Sequence, residues 1–305
     1  MSEATVGPGW TVNRLTGSVG AEVVGPDVRQ FDSQGAARLL HLLDNFGVIF
    51  LRGQSKSPRD LAEFARSFGP VLPAHPMKPG IPDLPSILGN ETGNVSARDA
   101  QCRDIHNRQG TNWHVDCTFM PQIPALSLLQ AAVVPAAGGD TLFSDLRSAY
   151  DALSAPLRRL ADELHCRHDA RKLYPEWLRP DADPELRERL LSTKPVTHPM
   201  VMRDARTGRK SLLLNPNCVT GIVGLSQFES DTLLSLFTTH ALIPERTVRW
   251  RWEEGDIAIW SNPRLLHNYV LDHGSAERRI YRAMVDYCPI MRATAAHERP
   301  GTAQT

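Results

Sequence analysis

The sequence predicts a mainly β fold with α decoration, a β-sandwich or barrel interrupted by helices. Three observations predict it. Strand-like segments gather towards both ends of the chain, helix-period segments lie between them, and no internal repeat or low-complexity block breaks the pattern. The chain has 305 residues, enough to bury a substantial core without disulfides or a structural metal.

Taken in order, "SVGAEVVGPDV" at 18–28 reads as a short strand broken by glycines. "FDSQGAARLLHLLDNFG" follows with helical spacing of Ala36, Leu39, Leu40, Leu43 and Phe46, and with Asp32 or Ser33 as its cap. "VIFLRGQ" is a continuous apolar run ending in a turn, the pattern of a fully buried strand. "SPRDLAEFARSFG" reads as a second helix, with Ser57 and Asp60 in a capping-box pattern, Pro58 in the first helical position and Gly69 as a stop. Residues 73–111 are rich in Pro, Gly, Asn and charge and lack periodicity, so a long connection is expected, with a lid over a site as one use for it. "ALSLLQAAVV" and "DTLF" read as strands joined by the turn "PAAGG". Residues 148–192 read as mostly helical, "KSLLLN" as a strand, and "SQFESDTLLSLFTTHAL" as a helix opened by a Ser226–Glu229 capping box. In "VRWRW", Arg249 and Arg251 alternate with Val248, Trp250 and Trp252, the period of a strand with one wet face. "EEGD" turns the chain into the strand "IAIW", and "RRIYRAMVDY" is the last strand. A single domain is expected over residues 10–292, with 293–305 a disordered tail.

Composition narrows the function classes. Lysine plus arginine and aspartate plus glutamate each number 34, so no global field draws in nucleic acid or an anionic membrane. The five cysteines, Cys102, Cys117, Cys166, Cys218 and Cys288, are odd in number, widely spaced and free of any CxxC pair, which argues against a disulfide framework and a zinc ribbon. Free thiols fit a reducing compartment. The start "MSEATVGPGW" lacks a basic region followed by an apolar run, and no stretch reaches membrane-span length, so a soluble cytoplasmic protein is expected.

The chemistry begins in "NWHVDCTF", residues 112–119. On a strand, His114 and Asp116 share a face. Two histidines with one carboxylate form the facial triad of non-heme iron oxygenases. His-x-Asp alone is also the pattern of a surface pair or of a hydrogen-bonded core histidine. A third ligand is available in His267, which follows the apolar strand "IAIW" and a short turn. Arg278 and Arg282 are four apart, so strict alternation puts them on one strand face. They read either as anchors for a buried dicarboxylate or as solvated strand charges.

"NWHVDCTF", "PAAGGDTLFSD", "GDIAIWSN", "LLHN" and "RRIYR" resemble the taurine dioxygenase family of iron(II)- and 2-oxoglutarate-dependent oxygenases, which includes herbicide-degrading phenoxyacid dioxygenases. The resemblance runs from near Val19 to about Tyr287. It implies a double-stranded β-helix, a cupin-like jelly-roll of two facing sheets. It implies that His114, Asp116 and His267 bind Fe(II), and that Thr141 and Arg278 hold the distal carboxylate of 2-oxoglutarate. Arg282 would lie beside the cosubstrate or meet an anionic substrate, Trp260 would pack near the metal, and Asn112 would orient cosubstrate or substrate. The implied reaction consumes dioxygen, releases succinate and carbon dioxide, and hydroxylates or desaturates an unactivated C–H bond. The carboxylate at Asp116 favours oxygenation or desaturation over halogenation. Relatives of this kind are often dimers or tetramers, so a homo-oligomer is expected.

Substrate recognition departs from the taurine-type pattern. His75 in "FGPVLPAHP" stands where the family can place a histidine that contacts an anionic substrate; an ordinary loop histidine reads the same way. Met77 and Lys78 replace the expected tyrosine, and Cys218 in "LLLNPNCVTGI" replaces an aromatic residue. Loss of these aromatic walls predicts an enlarged pocket and a longer or bulkier small-molecule substrate, an organic acid or natural-product intermediate. The stretch 84–110 is longer than the taurine enzymes need and is expected to shape the entrance. His106 is assigned no role, and His168, after a predicted helix, is expected to be structural. Two competing readings are a zinc hydrolase on the same ligands, which leaves Thr141, Arg278 and Arg282 without a task, and a non-catalytic binding protein, which the complete ligand set opposes.

Overall fold

Apolar alternation in the longest strands decides the architecture. The computed structural model describes residues 9–92, 113–204 and 206–286. In chain order the strands are β1 (Thr11–Arg14), β2 (Ala21–Val24), β3 (Val48–Leu51), β4 (Leu88–Thr92), β5 (Leu126–Val133), β6 (Thr141–Asp145), β7 (His165–His168), β8 (Val196–Pro199), β9 (Val201–Arg203), β10 (Lys210–Leu212), β11 (Val219–Ile222), β12 (Thr247–Trp250), β13 (Ile257–Ser261), β14 (Leu265–Tyr269) and β15 (Arg278–Val285). Seven form one sheet in the order β1-β2-β3-β13-β5-β15-β4, and three form a second in the order β12-β6-β14.

Each long strand of the large sheet sends alternate side chains to opposite faces. Val48, Phe50, Leu129, Ala131, Ala258, Trp260 and Ile280 meet Phe143, Val248, Trp250 and Leu265 of the small sheet in one core. Ile49, Leu51, Leu126, Leu128, Ile257 and Ile259 face a second core under two helices, α1 (Ser33–Phe46) and α2 (Pro58–Arg66). Burial on both faces is why "VIFL" is apolar throughout. The two facing sheets are the predicted jelly-roll.

Local chemistry fixes the ends. The Asp32 carboxylate accepts from Gly35 N at 2.7 Å and caps α1. α2 departs from expectation: Ser57 makes no side-chain cap, and Asp60 instead accepts from Ser55 Oγ at 2.5 Å. The turn "PAAGG" joins two strands as predicted but carries the chain from one sheet to the other, since β5 and β6 lie in different sheets. Within the stretch read as an irregular connection, Leu88–Thr92 is the edge strand β4, paired with β15.

Between β6 and β12 the chain makes a long excursion. It contains helices α3 (Leu146–Asp151), α4 (Ala155–Glu163), α5 (Ala170–Leu173), α6 (Pro184–Ser192) and α7 (Gln227–Ala241), and the small sheet β11-β7-β8. The predicted Ser226–Glu229 box opens α7, with Ser226 N donating to Glu229 Oε2 at 2.8 Å. The mostly helical reading of 148–192 missed β7, which is where His168 sits. Asn112, Cys102, His106, Cys288 and the expected tail 293–305 lie outside the described residues. Among the described residues no helix is long and apolar enough to cross a membrane.

Candidate active site

The site lies between the two sheets, in a cavity of about 450 Å³. "NWHVDCTF" does not form the expected strand. His114 makes a single β-bridge to His267, with both backbone bonds formed at 3.0 and 2.9 Å, and the chain then turns from Asp116. Cys117 takes a φ of +53°, which bends the backbone just past the carboxylate. Asn262 holds that bend: its Oδ1 accepts from Asp116 N at 2.9 Å, and its Nδ2 donates to Asp116 O and Pro124 O at 3.1 Å. The ligand pair converges through a bridge and a pinned turn, not through strand parity.

His114, Asp116 and His267 bring one ligand atom each to within 4.8 Å of one another. Nε2 of His114 lies 3.9 Å from Asp116 Oδ1, and Nε2 of His267 lies 3.8 Å from Oδ2. These gaps are too long for hydrogen bonds. Three ligand atoms of two types face one point without bonding each other, and the donor set is that of a facial-triad Fe(II) centre.

Asp116 is supported from outside the triad. Ser127 Oγ donates to its Oδ2 at 2.7 Å, and Arg282 Nη1 pairs with its Oδ1 at 2.5 Å. Burial alone would raise the Asp116 carboxyl, but Arg282, His267 and His114 outweigh it and hold it below the usual carboxylate range. Burial and the neighbouring His114 push His267 down to about 3 against the pull of Asp116, keeping it in the neutral form that ligates metals. Trp260 packs edge-on to His267, with centroids 4.9 Å apart.

β15 presents Arg278, Ile280 and Arg282 to the cavity. A register shift between Arg279 and Ile280 skips one residue of β5, so the alternation along β15 survives. Arg278 is 4% exposed and Thr141, across the cavity wall on β6, is 2% exposed. Arg279, of opposite parity on the strand, faces the other way and pairs with Glu277.

His75 and Cys218 also line the cavity. His75 Nδ1 accepts from Met77 N at 3.0 Å, so the ring proton sits on Nε2, 3.1 Å from Tyr174 Oη. Burial, then the charges of Arg282 and Lys78, push His75 down to about 3. Burial pushes the Cys218 thiol up to about 12, which leaves it an uncharged wall. Aromatic surface is present in the cavity from another element. Tyr174 lines the cavity, stacks on Trp177 at 4.1 Å between centroids, and meets His75 edge-on. Tyr174 reaches the cavity from the excursion between β6 and β12. His168 is structural as expected, but from a strand: its Nδ1 lies 2.9 Å from Thr118 Oγ1, beside the triad turn.

Sequence reasoning missed Ser127, Asn262 and Tyr174. Ser127 carried a signal, as one of two polar side chains in the otherwise apolar "ALSLLQAAVV". Tyr174 sits in "KLYPEWL", an aromatic pair far from any ligand in the chain.

A jelly-roll with two histidines and a carboxylate lining such a cavity defines the non-heme iron oxygenase class. The family model for "Taurine catabolism dioxygenase TauD, TfdA family" matches residues 11–284. The α-ketoglutarate-dependent sulfate ester dioxygenase of Pseudomonas putida is 34% identical, covering 89% of this chain and 87% of its own. The α-ketoglutarate-dependent 2,4-dichlorophenoxyacetate dioxygenase of Cupriavidus pinatubonensis is also 34% identical, covering 79% and 85%. Among solved structures, a taurine dioxygenase from Burkholderia xenovorans superposes with a TM-score of 0.75 at 28% identity, covering 91% of each chain. The chain belongs to the taurine catabolism dioxygenase TauD, TfdA family. It is an oxidoreductase that uses Fe(II), 2-oxoglutarate and dioxygen, which disfavours the zinc-hydrolase and binding-protein readings.

Proposed function

We propose that His114, Asp116 and His267 hold the Fe(II), that Thr141 and Arg278 receive the distal carboxylate of 2-oxoglutarate, and that the substrate is a small organic anion whose charged end meets Arg282 and His75. The charge of the cavity wall carries the reading. Among the described residues lining it, Lys78, Arg278 and Arg282 are cations, and Asp116 is the one carboxylate. A divalent metal and a dicarboxylate cosubstrate balance each other, so the wall still favours a further negative charge. The sulfate esters and 2,4-dichlorophenoxyacetate in the names of the two relatives are anions, which supports it.

When bound, the metal and cosubstrate supply the oxidising chemistry at a substrate C–H bond. The chain supplies position. Asp116 stays ionised and is oriented by Ser127 and Arg282. His75, whose Nε2 proton faces Tyr174, stands near the permanently charged Arg282. Phe119, Leu173, Tyr174 and Cys218 give the body of the substrate an apolar surface and keep water from it. We further propose a cytoplasmic homo-oligomer, a dimer or tetramer; the free, buried Cys117, Cys166 and Cys218 fit a reducing compartment.

Three measurements test this. Without dioxygen, Fe(II) plus 2-oxoglutarate gives a weak visible charge-transfer band that Asp116→Ala or His267→Ala abolishes; a wild-type protein without the band sinks the metal assignment. Succinate release is stimulated by alkyl sulfates or aryloxyacetates and not by uncharged alcohols of equal length. Arg282→Gln raises KM for the anionic substrate about 10–100-fold, the scale of a lost charge-assisted contact. Equal stimulation by neutral analogues overturns the anionic reading.

A further inference from the structure

We propose that Trp252 and Tyr269 are positioning residues that set the distal-carboxylate cradle before 2-oxoglutarate arrives. The inference rests on the reading of Thr141 and Arg278 as that cradle. Thr141 is the middle residue of three paired strands, opposite Trp250 on β12 and Tyr269 on β14. The chain just past β12 contributes one support and β14 the other.

On the first side, Trp252 lies two residues beyond Trp250, and its Nε1 donates to Thr141 Oγ1 at 2.9 Å. An indole nitrogen only donates. The Thr141 oxygen therefore accepts, and the hydroxyl's own hydrogen is left to point elsewhere as a donor. That polarity suits a carboxylate and not a cation or a donor group. Both side chains are buried, so the orientation is not averaged by water.

On the second side, the Arg278 guanidinium carbon lies 4.2 Å from the centroid of the Tyr269 ring. Its Nε donates to Gly139 O at 2.9 Å. Gly139 has a φ of +74°, and a Cβ there would meet Arg278 Cδ at 3.0 Å, so the glycine admits the arginine stem. The Tyr269 ring is itself fixed. His273 Nδ1 lies 3.1 Å from Ala276 O and carries its proton there, so His273 Nε2 accepts from the Tyr269 hydroxyl. A stacked face and a carbonyl leave the guanidinium one plane to occupy. Trp252 thus sets the direction of one donor, and Tyr269 sets the plane of the other.

The test compares 2-oxoglutarate with 2-oxovalerate, which keeps the keto-acid end and lacks the distal carboxylate. Both are titrated calorimetrically into the Mn(II)-loaded full chain without dioxygen. Arg278→Gln serves as the reference and weakens 2-oxoglutarate alone. Trp252→Phe weakens 2-oxoglutarate about 5–10-fold, the scale of one lost hydrogen bond. Tyr269→Leu weakens it about 5-fold, whereas Tyr269→Phe, which keeps the ring, changes it less than about 2-fold. None of these changes 2-oxovalerate binding. The proposal is overturned if Trp252→Phe and Tyr269→Leu bind 2-oxoglutarate like the wild type while Arg278→Gln does not, or if they lose both oxoacids equally. If Arg278→Gln itself fails to discriminate, the cradle assignment falls and takes the proposal with it.

Discussion

Asp116 is held through both its side chain and its backbone. Its oxygens are held by Ser127 and Arg282, and its backbone is held by Asn262. Outer partners of this kind fix the angle at which a carboxylate meets a metal. Ser127→Ala is expected to lower Fe(II) or Mn(II) affinity about 10–100-fold while the circular dichroism spectrum stays unchanged. Calorimetric metal titration checks it, and wild-type affinity would remove Ser127 from the account. The identities of His114, Asp116, His267, Arg278 and Arg282 could be read in the sequence because each is a strong chemical type at a telling spacing. Ser127 and Asn262 could not be assigned, because their meaning comes only from what folds against them.

At the scale of elements, Arg264 joins three pieces. It precedes β14, which brings His267, and it pairs with Asp145 at the end of β6 through two bonds of 2.8 Å. Its Nη1 also donates to Leu43 O and Asp44 O at 3.0 Å, satisfying carbonyls at the C-terminal end of α1. Both side chains of the pair are at most 4% exposed. Arg264→Met is expected to cost about 3–5 kcal/mol, because it strands the Asp145 carboxylate in the interior. Adding Asp145→Asn should recover part of that loss, so urea unfolding of the double variant would show a cost below the sum of the singles. Sequence periodicity identified most of the strands that build this frame. It missed β1, β4, β7, β8, β9, β11 and β14; of these β4 and β7 are short and polar and owe their form to the neighbours β15 and β11. It also misjudged the Ser57 cap, because Ser55 Oγ reaches Asp60 and also accepts from Ser57 N at 3.0 Å.

For the whole molecule, buried neutral histidines tie stability to pH. Burial brings His168 and His75 each down to about 3, far below the ordinary histidine value. Below pH ~6.5 the unfolded chain takes up protons that the folded chain refuses, so stability falls as pH drops from there towards 3. The limiting slope is about 1.4 kcal/mol per pH unit for each such group. Denaturation of the metal-free protein at pH 7 and pH 5 reads the loss, and His168→Asn should flatten it by one group's share. An equal slope in that variant would show that His168 is not neutral in the fold. The excursion between β6 and β12 has a separate consequence. His267 stands on β14, and His114 and Asp116 on the bridge and turn beside it, whereas Tyr174 and Trp177 arrive on the polypeptide between β6 and β12. Exchanging Tyr174 and Trp177 alone would alter which molecules are accepted while the three ligands keep their seats, so selectivity and reactivity are free to diverge at different speeds; exchanging the whole length would also remove the His168 and Asn215 bonds to the triad turn.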